Sequence, residues 1–204
     1  MNQSARQALR RGEGTAAILE AAEALFSEQG FDAVSLRQVA EQAGVSKANI
    51  IHHFGSKEGL YIAVLRGAVE RCDALLESLE EGEPLERLRS YTRENLRQMF
   101  DQPEAYRLLL REVLEHGQER GRELATRVVG ESFARLVALV REGQDAGALR
   151  REIDPGLMAI VLVACKVFLF QAGGVLRHLP GAEVTQDPDR YMEAVMTLLL
   201  EGAR

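Results

Sequence analysis

Much that would suit this chain for metal or redox chemistry is missing. Its 204 residues hold two cysteines, Cys72 and Cys165, too far apart for a CxxC or zinc-ligand pair. Each lies in an apolar helical run and reads as a buried free thiol of a reducing compartment. No ExxH or HExxH occurs, and no cysteines or carboxylates stand at ligand spacing around His52 and His53. An all-α enzyme or a di-metal bundle therefore has no residues to work with, and no metal, cofactor or catalytic residue is expected. The N-terminus lacks the apolar core of a secretory signal. The longest apolar run, Leu157 to Phe170, is interrupted by Lys166 and is short for a bilayer. A cytoplasmic protein with no membrane partner is expected. No stretch alternates with period two between turn signals, and there is no internal repeat, so neither strands nor a solenoid is expected.

What is present is an ordinary globular composition, 46% hydrophobic and 27% charged, long enough for a real core. The net charge of −6 argues against non-specific binding of nucleic acid. It is unevenly spread. Residues 1–57 hold six basic and six acidic groups, so the whole deficit lies beyond them. A neutral, locally basic tip on an acidic body would be steered tip-first onto DNA.

The organising stretch is Ser35 to Phe54. Ser35, with Gln38 three residues on, has capping-box spacing. Leu36, Val39 and Ala40 then share one helical face. Gly44 supplies a helix stop, and Ser46 caps a second helix. Helix, glycine turn and capped helix make a helix-turn-helix, whose second helix enters a major groove. Around it the apolar spacing predicts a flexible N-terminal arm (1–13), a helix-turn-helix DNA-binding domain (14–57) and a helical ligand-binding and dimerisation domain (58–204). The arm is Arg-rich and suited to phosphates. A bracing helix runs from Thr15 to Gln29. Helices then run from Ser56 to about Glu80, from Pro84 to about Phe100, from Pro103 to about His116 with a break at Gly121, from Leu124 to Ala146, from Gly156 to about Leu179 and from Asp189 to Leu200. The fold class is all-α, with about nine helices.

The run Gly44-Val45-Ser46-Lys47-Ala48-Asn49-Ile50-Ile51-His52-His53-Phe54, followed by Ser56-Lys57-Glu58, resembles the TetR family of bacterial transcription regulators. The head is also similar to the pyrimidine-utilisation regulators within that family. The resemblance covers residues 14–65. It implies a homodimer whose last two long helices build a four-helix bundle with the partner. It also implies a ligand cavity in the middle helices and release from operator DNA when the ligand binds. The family usually has tyrosine where this chain has Ile51, which puts an inherited operator sequence in question.

For double-stranded operator DNA the candidate residues are Ser35, Arg37, Lys47, Ala48, Asn49, Ile51, His52, His53 and Lys57. Arg37, by its family position, reaches a guanine edge. Ile51 offers only apolar contact, such as a thymine methyl. His53 matches a phosphate-contacting position of the family. Lys57 adds its ammonium to the N–H groups of a helix start. Ser35 is explained equally by capping or by a phosphate contact. For a small-molecule effector, expected to be lipophilic or aromatic, the candidates are Tyr91, Asn95, Met99, Tyr106, His116, Lys166 and Phe168. Lys166 faces an anionic ligand, pairs with a glutamate or snorkels to solvent. Ala159, Val163, Phe170, Gly174, Leu198 and Leu199 are the candidates for the dimer seam, with Gly173-Gly174 marking either close helix approach or a helix end. The expected function is a ligand-responsive, sequence-specific repressor and not an enzyme. The alternative is a DNA-binding regulator controlled by a protein partner.

Overall fold

The computed structural model describes residues 3–79 and 81–202, with side chains described for residues 14–79 and 81–200. Among these residues there is no strand. The α-helices are α1 (Gln3–Gln29), α2 (Leu36–Ala43), α3 (Lys47–Phe54), α4 (Lys57–Ser78), α5 (Pro84–Asp101), α6 (Pro103–Leu124), α7 (Gly130–Asp145), α8 (Pro155–Leu176) and α9 (Pro188–Gly202). A π-turn, Ala125–Val129, carries α6 into α7 without a break, and a 3-10 turn, Glu183–Gln186, precedes α9. The all-α expectation holds. Two of its details do not. The backbone expected to be a flexible arm is helical from Gln3, continuous with α1, while Met1 and Asn2 lie outside the described residues. The break expected at Gly121 is absent, because α6 runs on to Leu124. One glycine costs a helix only about 1 kcal/mol, and Arg120 is anchored to Glu112 two turns back along the same helix at 2.6 Å.

Several helix starts follow the local chemistry of the sequence. Pro84, Pro103, Pro155 and Pro188 each take the first position of a helix, where the missing N–H removes no bond. Asp154 accepts from the Leu157 N–H at 2.8 Å. Asp187 accepts from the N–H groups of Asp189 and Arg190 at 2.9 and 3.2 Å.

The chain forms two compact units: Met1–Val69 with Glu104–Val128, and Glu70–Pro103 with Val129–Arg204. The first is built on an aromatic trio. Tyr61 of α4 meets Phe26 of α1 edge-on at 5.0 Å and Phe31 at 4.8 Å. Ile18, Val39, Ile50, Leu60 and Leu65 are almost wholly buried in this unit. The Tyr61 hydroxyl donates to Glu112 Oε2 at 2.9 Å, and Arg120 holds the other oxygen of that buried carboxylate. Arg120 also binds Glu58 and Glu123. Burial, then the hydrogen bond to Glu112, push the Tyr61 phenol far above its ordinary range, so it remains a donor. The start of α4 is thus tied to α6.

In the second unit α5 lies against α7, α8 and α9. Arg97–Asp189 and Arg89–Glu193 join α5 to α9, and Arg87–Glu142 joins α5 to α7. Buried Gln144 donates to the carbonyls of Arg150 and Ile153, fixing the α7–α8 connection. By length and composition α8 could span a membrane, which the Leu157–Phe170 run alone did not suggest. Its buried side is formed by Met158, Ala159, Leu162 and Leu169, and most of its other side chains are wholly or partly exposed. Lys166 lies on that side, 2% exposed. Its ammonium donates to Asn95 Oδ1 at 2.5 Å and stands 4.7 Å from the centre of the Tyr91 ring.

Burial lowers Lys166 from its ordinary 10.5 to about 8, opposed by the nearby Cys72 sulfur. Between those values the unfolded chain holds this proton more tightly than the folded one. The Lys166 contribution to stability therefore rises as pH climbs from about 8 towards 10.5. Urea midpoints for wild type and Lys166→Met at pH 8 and pH 10 check this: the variant should lack the part of the pH response due to Lys166.

Candidate nucleic-acid interface

The helix-turn-helix is made by its caps. The Gln38 N–H donates to Ser35 Oγ at 3.3 Å, and the Ser35 N–H donates to Gln38 Oε1 at 2.8 Å, closing a reciprocal capping box. At the other end of α2, Gly44 is left-handed (φ 66°), and the Val45 N–H reaches back to the Ala40 carbonyl at 3.0 Å. Ser46 then caps α3, accepting from the Asn49 N–H at 3.2 Å. Ile50 is fully buried and roots α3 in the first unit.

With Ile50 inside, α3 exposes Lys47, Ala48, Asn49, Ile51 and His52, while His53 is half-buried. The His52 and His53 rings meet edge-on at 5.3 Å. Arg37 on α2 is 85% exposed at its side chain and, among the described residues, is engaged by Glu41, one turn on, at 2.9 Å. That solvated pair is weak and screened, so the guanidinium can exchange it for a base or phosphate. Ser35 is occupied in the capping box. Lys57 is more constrained than the sequence suggests. Its Nζ donates to the Asp32 carbonyl at 3.2 Å and lies 4.5 Å from the centre of the Phe31 ring. It braces the α1–α2 link and still carries unused N–H donors at the start of α4.

Gly59 is a residue that pattern reading missed. A Cβ there would fall inside contact distance of the Phe54 carbonyl oxygen. The end of α3 and the first turn of α4 are therefore as close as a bare backbone allows. No spacing rule in the sequence marks this glycine.

The candidate effector residues separate. Tyr91, Asn95, Met99 and Lys166 are all buried in the second unit, where Lys166 touches both Asn95 and Tyr91. Tyr106 and His116 belong to the first unit. Tyr106 is buried there, and His116 is half-exposed beside Glu112 at 3.5 Å. Phe168, expected with Lys166, is 58% exposed on the opposite side of α8. The seam residues also divide. Ala159 is fully buried within its own chain and does not face outward as expected, whereas Phe170 is half-buried and its ring meets the exposed Phe100 ring at 5.6 Å. Val163 and Leu199 are partly buried, whereas Gly174 and Leu198 are exposed. The open apolar stripe of α8 is Leu157, Ile160, Phe168 and Val175. A helix that is apolar all round gives periodicity nothing to choose a face by. The Gly173-Gly174 pair lies inside α8, which ends two residues later at Leu176.

Comparison with known proteins agrees with this geometry. The sequence model described as "Bacterial regulatory proteins, tetR family" matches residues 18–64. The one described as "Tetracyclin repressor-like, C-terminal domain" matches residues 84–197. The HTH-type transcriptional regulator RutR of Escherichia coli K12 is 32% identical over 194 residues, covering 92% of this chain and 89% of its own. Among solved structures, a putative TetR-family transcriptional regulator from Rhodococcus sp. superposes with a TM-score of 0.73 at 22% identity, covering 93% of this chain and 99% of that one. AibR in complex with isovaleryl coenzyme A and operator DNA superposes at 0.65 and 19% identity, covering 92% and 98%.

The α3–α4 junction yields a test. Gly59→Ala should force the two helices apart and destabilise the chain by about 1–3 kcal/mol, the usual cost of overpacking. Gly117→Ala, where nothing lies within 4 Å of an added Cβ, should leave stability unchanged or slightly raised. Thermal or urea unfolding of the two variants measures the contrast.

Proposed function

The chain belongs to the TetR family of bacterial regulatory proteins and is a helix-turn-helix transcriptional regulator, and we propose that it is a cytoplasmic, homodimeric repressor released from its operator by a small molecule. The observation that carries the reading is the exposed face of α3. A doubly capped, rigidly rooted helix holds out Lys47, Ala48, Asn49, Ile51 and His52, and Arg37 is exposed on α2. In this reading Arg37 takes a guanine edge, Ile51 makes apolar base contact, and His52, His53 and Lys57 take phosphates. Ser35 serves as a cap first and adds a phosphate contact through its hydroxyl.

The dimer rests on α8 and α9. Leu157, Ile160, Phe168 and Val175 form a continuous exposed stripe on α8, and Leu198 of α9 is 74% exposed. Large apolar side chains in a continuous stripe mark an interaction surface, and a second copy related by a two-fold axis would cover it with itself. The effector site is placed in the second unit around Lys166, Asn95, Tyr91 and Met99. AibR, whose fold this chain shares, binds an acyl coenzyme A and operator DNA together, which supports both ligands on one architecture. Repression follows if effector binding moves the length of α4 that lies in the second unit, because the same helix begins at Lys57.

DNA selected from random duplexes by the purified protein supplies the operator for two tests. Arg37→Ala should relax preference at one position by about 1–3 kcal/mol. Lys57→Ala should weaken binding on every sequence and reduce the salt slope by about one. Equal losses with unchanged preference would reverse these roles. Phe168→Glu should convert the dimer to a folded monomer by sedimentation velocity and remove tight operator binding. A wild type that sediments as a monomer would end the dimer reading.

A further inference from the structure

Lys166 is an unusual residue to find where it is. It lies near the middle of α8, and only 2% of it reaches solvent. No carboxylate pairs with it among the described residues. Its polar contact is the neutral Asn95 Oδ1 at 2.5 Å, and Tyr91 offers its ring face 4.7 Å from Nζ. Asn95 is used at both ends, because its Nδ2 donates to Cys72 Sγ at 3.0 Å. The amide is thereby fixed with its oxygen towards the ammonium. An ammonium has three N–H donors, and one is spent on Asn95. One turn along α5 from Asn95, the Gln98 Oε1 is buried with no hydrogen-bond partner among the described residues. A neutral amide and a ring face do not repay the desolvation of a cation. A methionine would fill this position at lower cost. The arrangement is that of a charge held ready for a counter-ion the polypeptide does not supply.

We propose that Lys166 is the anion-recognising group of the effector site, and that the effector is a small monoanionic acid with an apolar body. The inference rests on the effector reading above and narrows it from a lipophilic or aromatic molecule to an acid. The acid's oxygens accept from the Lys166 ammonium, Asn95 sets the direction of that ammonium, and Tyr91 and Met99 border the apolar part. Gln98 Oε1, on the same face of α5, offers an acceptor to any hydroxyl or N–H next to the acid group. A charge-assisted hydrogen bond of this kind is strong because no water competes for it.

The experiment uses the full-length dimer and matched probes: butanoate, hexanoate, octanoate and phenylacetate, each beside its primary amide. Binding is read by thermal shift and by titration calorimetry. Operator release is read by fluorescence anisotropy. The expected result is that at least one acid binds roughly 10- to 100-fold tighter than its amide, the range of one hydrogen bond to a charged group, and releases operator. Lys166→Met should bring acid and amide to within a few-fold while leaving the ligand-free protein at least as stable as wild type. Lys166→Gln serves as the second variant should the methionine fail to fold. Acid binding by the wild type should be flat below about pH 8 and weaken above it as the ammonium loses its proton. Cys72 on α4 and Tyr91 on α5, the titratable groups beside Lys166, remain in both variants as controls for the pH series. If acids and amides bind alike, or the acid preference survives both substitutions, the assignment to Lys166 is wrong and the effector reading stands. If no probe of either kind binds or releases DNA, the effector reading falls and the acid assignment falls with it.

Discussion

A carboxylate with almost no access to water holds the first unit together. Glu112 sits among apolar helices, where an unpaired charge would be costly. It is satisfied from two directions, by the Tyr61 hydroxyl and by Arg120. Losing Arg120 would strip the buried carboxylate of its countercharge, and losing the Tyr61 hydroxyl would cost Oε2 its hydrogen bond, so the three side chains act as a set. Tyr61 also carries the aromatic contacts to Phe26 and Phe31, and Phe31 lies under the Lys57 ammonium. A chain of direct contacts therefore runs from α6 through α4 to the link before the helix-turn-helix. The orientation of α3 inherits the rigidity of that chain.

The exposed face of α3 shows what such rigidity is for. Its side chains are short or of moderate length, apart from Lys47, and the helix is only eight residues long. A short helix with one fully buried anchor, Ile50, has little of its own to resist rotation. Caps at Ser35, Gly44 and Ser46, and the close backbone approach at Gly59, supply that resistance. The second unit is held differently. Exposed ion pairs such as Arg97–Asp189 set the register of α5 and α9 while the apolar core supplies stability.

How much of this could be read from residues depended on whether the signal was local. Ser35 with Gln38, Gly44 and Ser46 announced themselves, because a cap is a contact within four residues. The exposed residues of α3 follow from a single inward side chain, Ile50. Glu112 did not announce itself: its partner Tyr61 is 51 positions away, and nothing in the pattern of α6 distinguishes it from neighbouring surface acids. On α8 the candidate seam residues run from buried Ala159 to exposed Gly174, because a helix apolar on every side encodes burial without direction. Gly59 is a matter of a missing side chain meeting the Phe54 carbonyl across the α3–α4 turn, which composition cannot express. The π-turn at Ala125–Val129 likewise has no periodicity of its own to betray it. Lys166 was noticed as a charge in an apolar run, but its partners Asn95 and Tyr91 come from another helix.

The buried cluster also bears on how regulators of this architecture can be recombined. Sequence position invites a cut after Lys57, as if the DNA-reading head were a cassette. The compact unit instead includes α4 as far as Val69 and the distant segment Glu104–Val128. A chimera joined at residue 57 would set Phe26 and Phe31 of one parent against Tyr61 of another and break the aromatic trio of the core. Faithful exchange of DNA preference needs three junctions, after Val69, Pro103 and Val128, that carry both segments, or substitution of the α3 surface alone. Lineages that shuffle heads between bodies would inherit Tyr61, Glu112 and Arg120 as a linked trio.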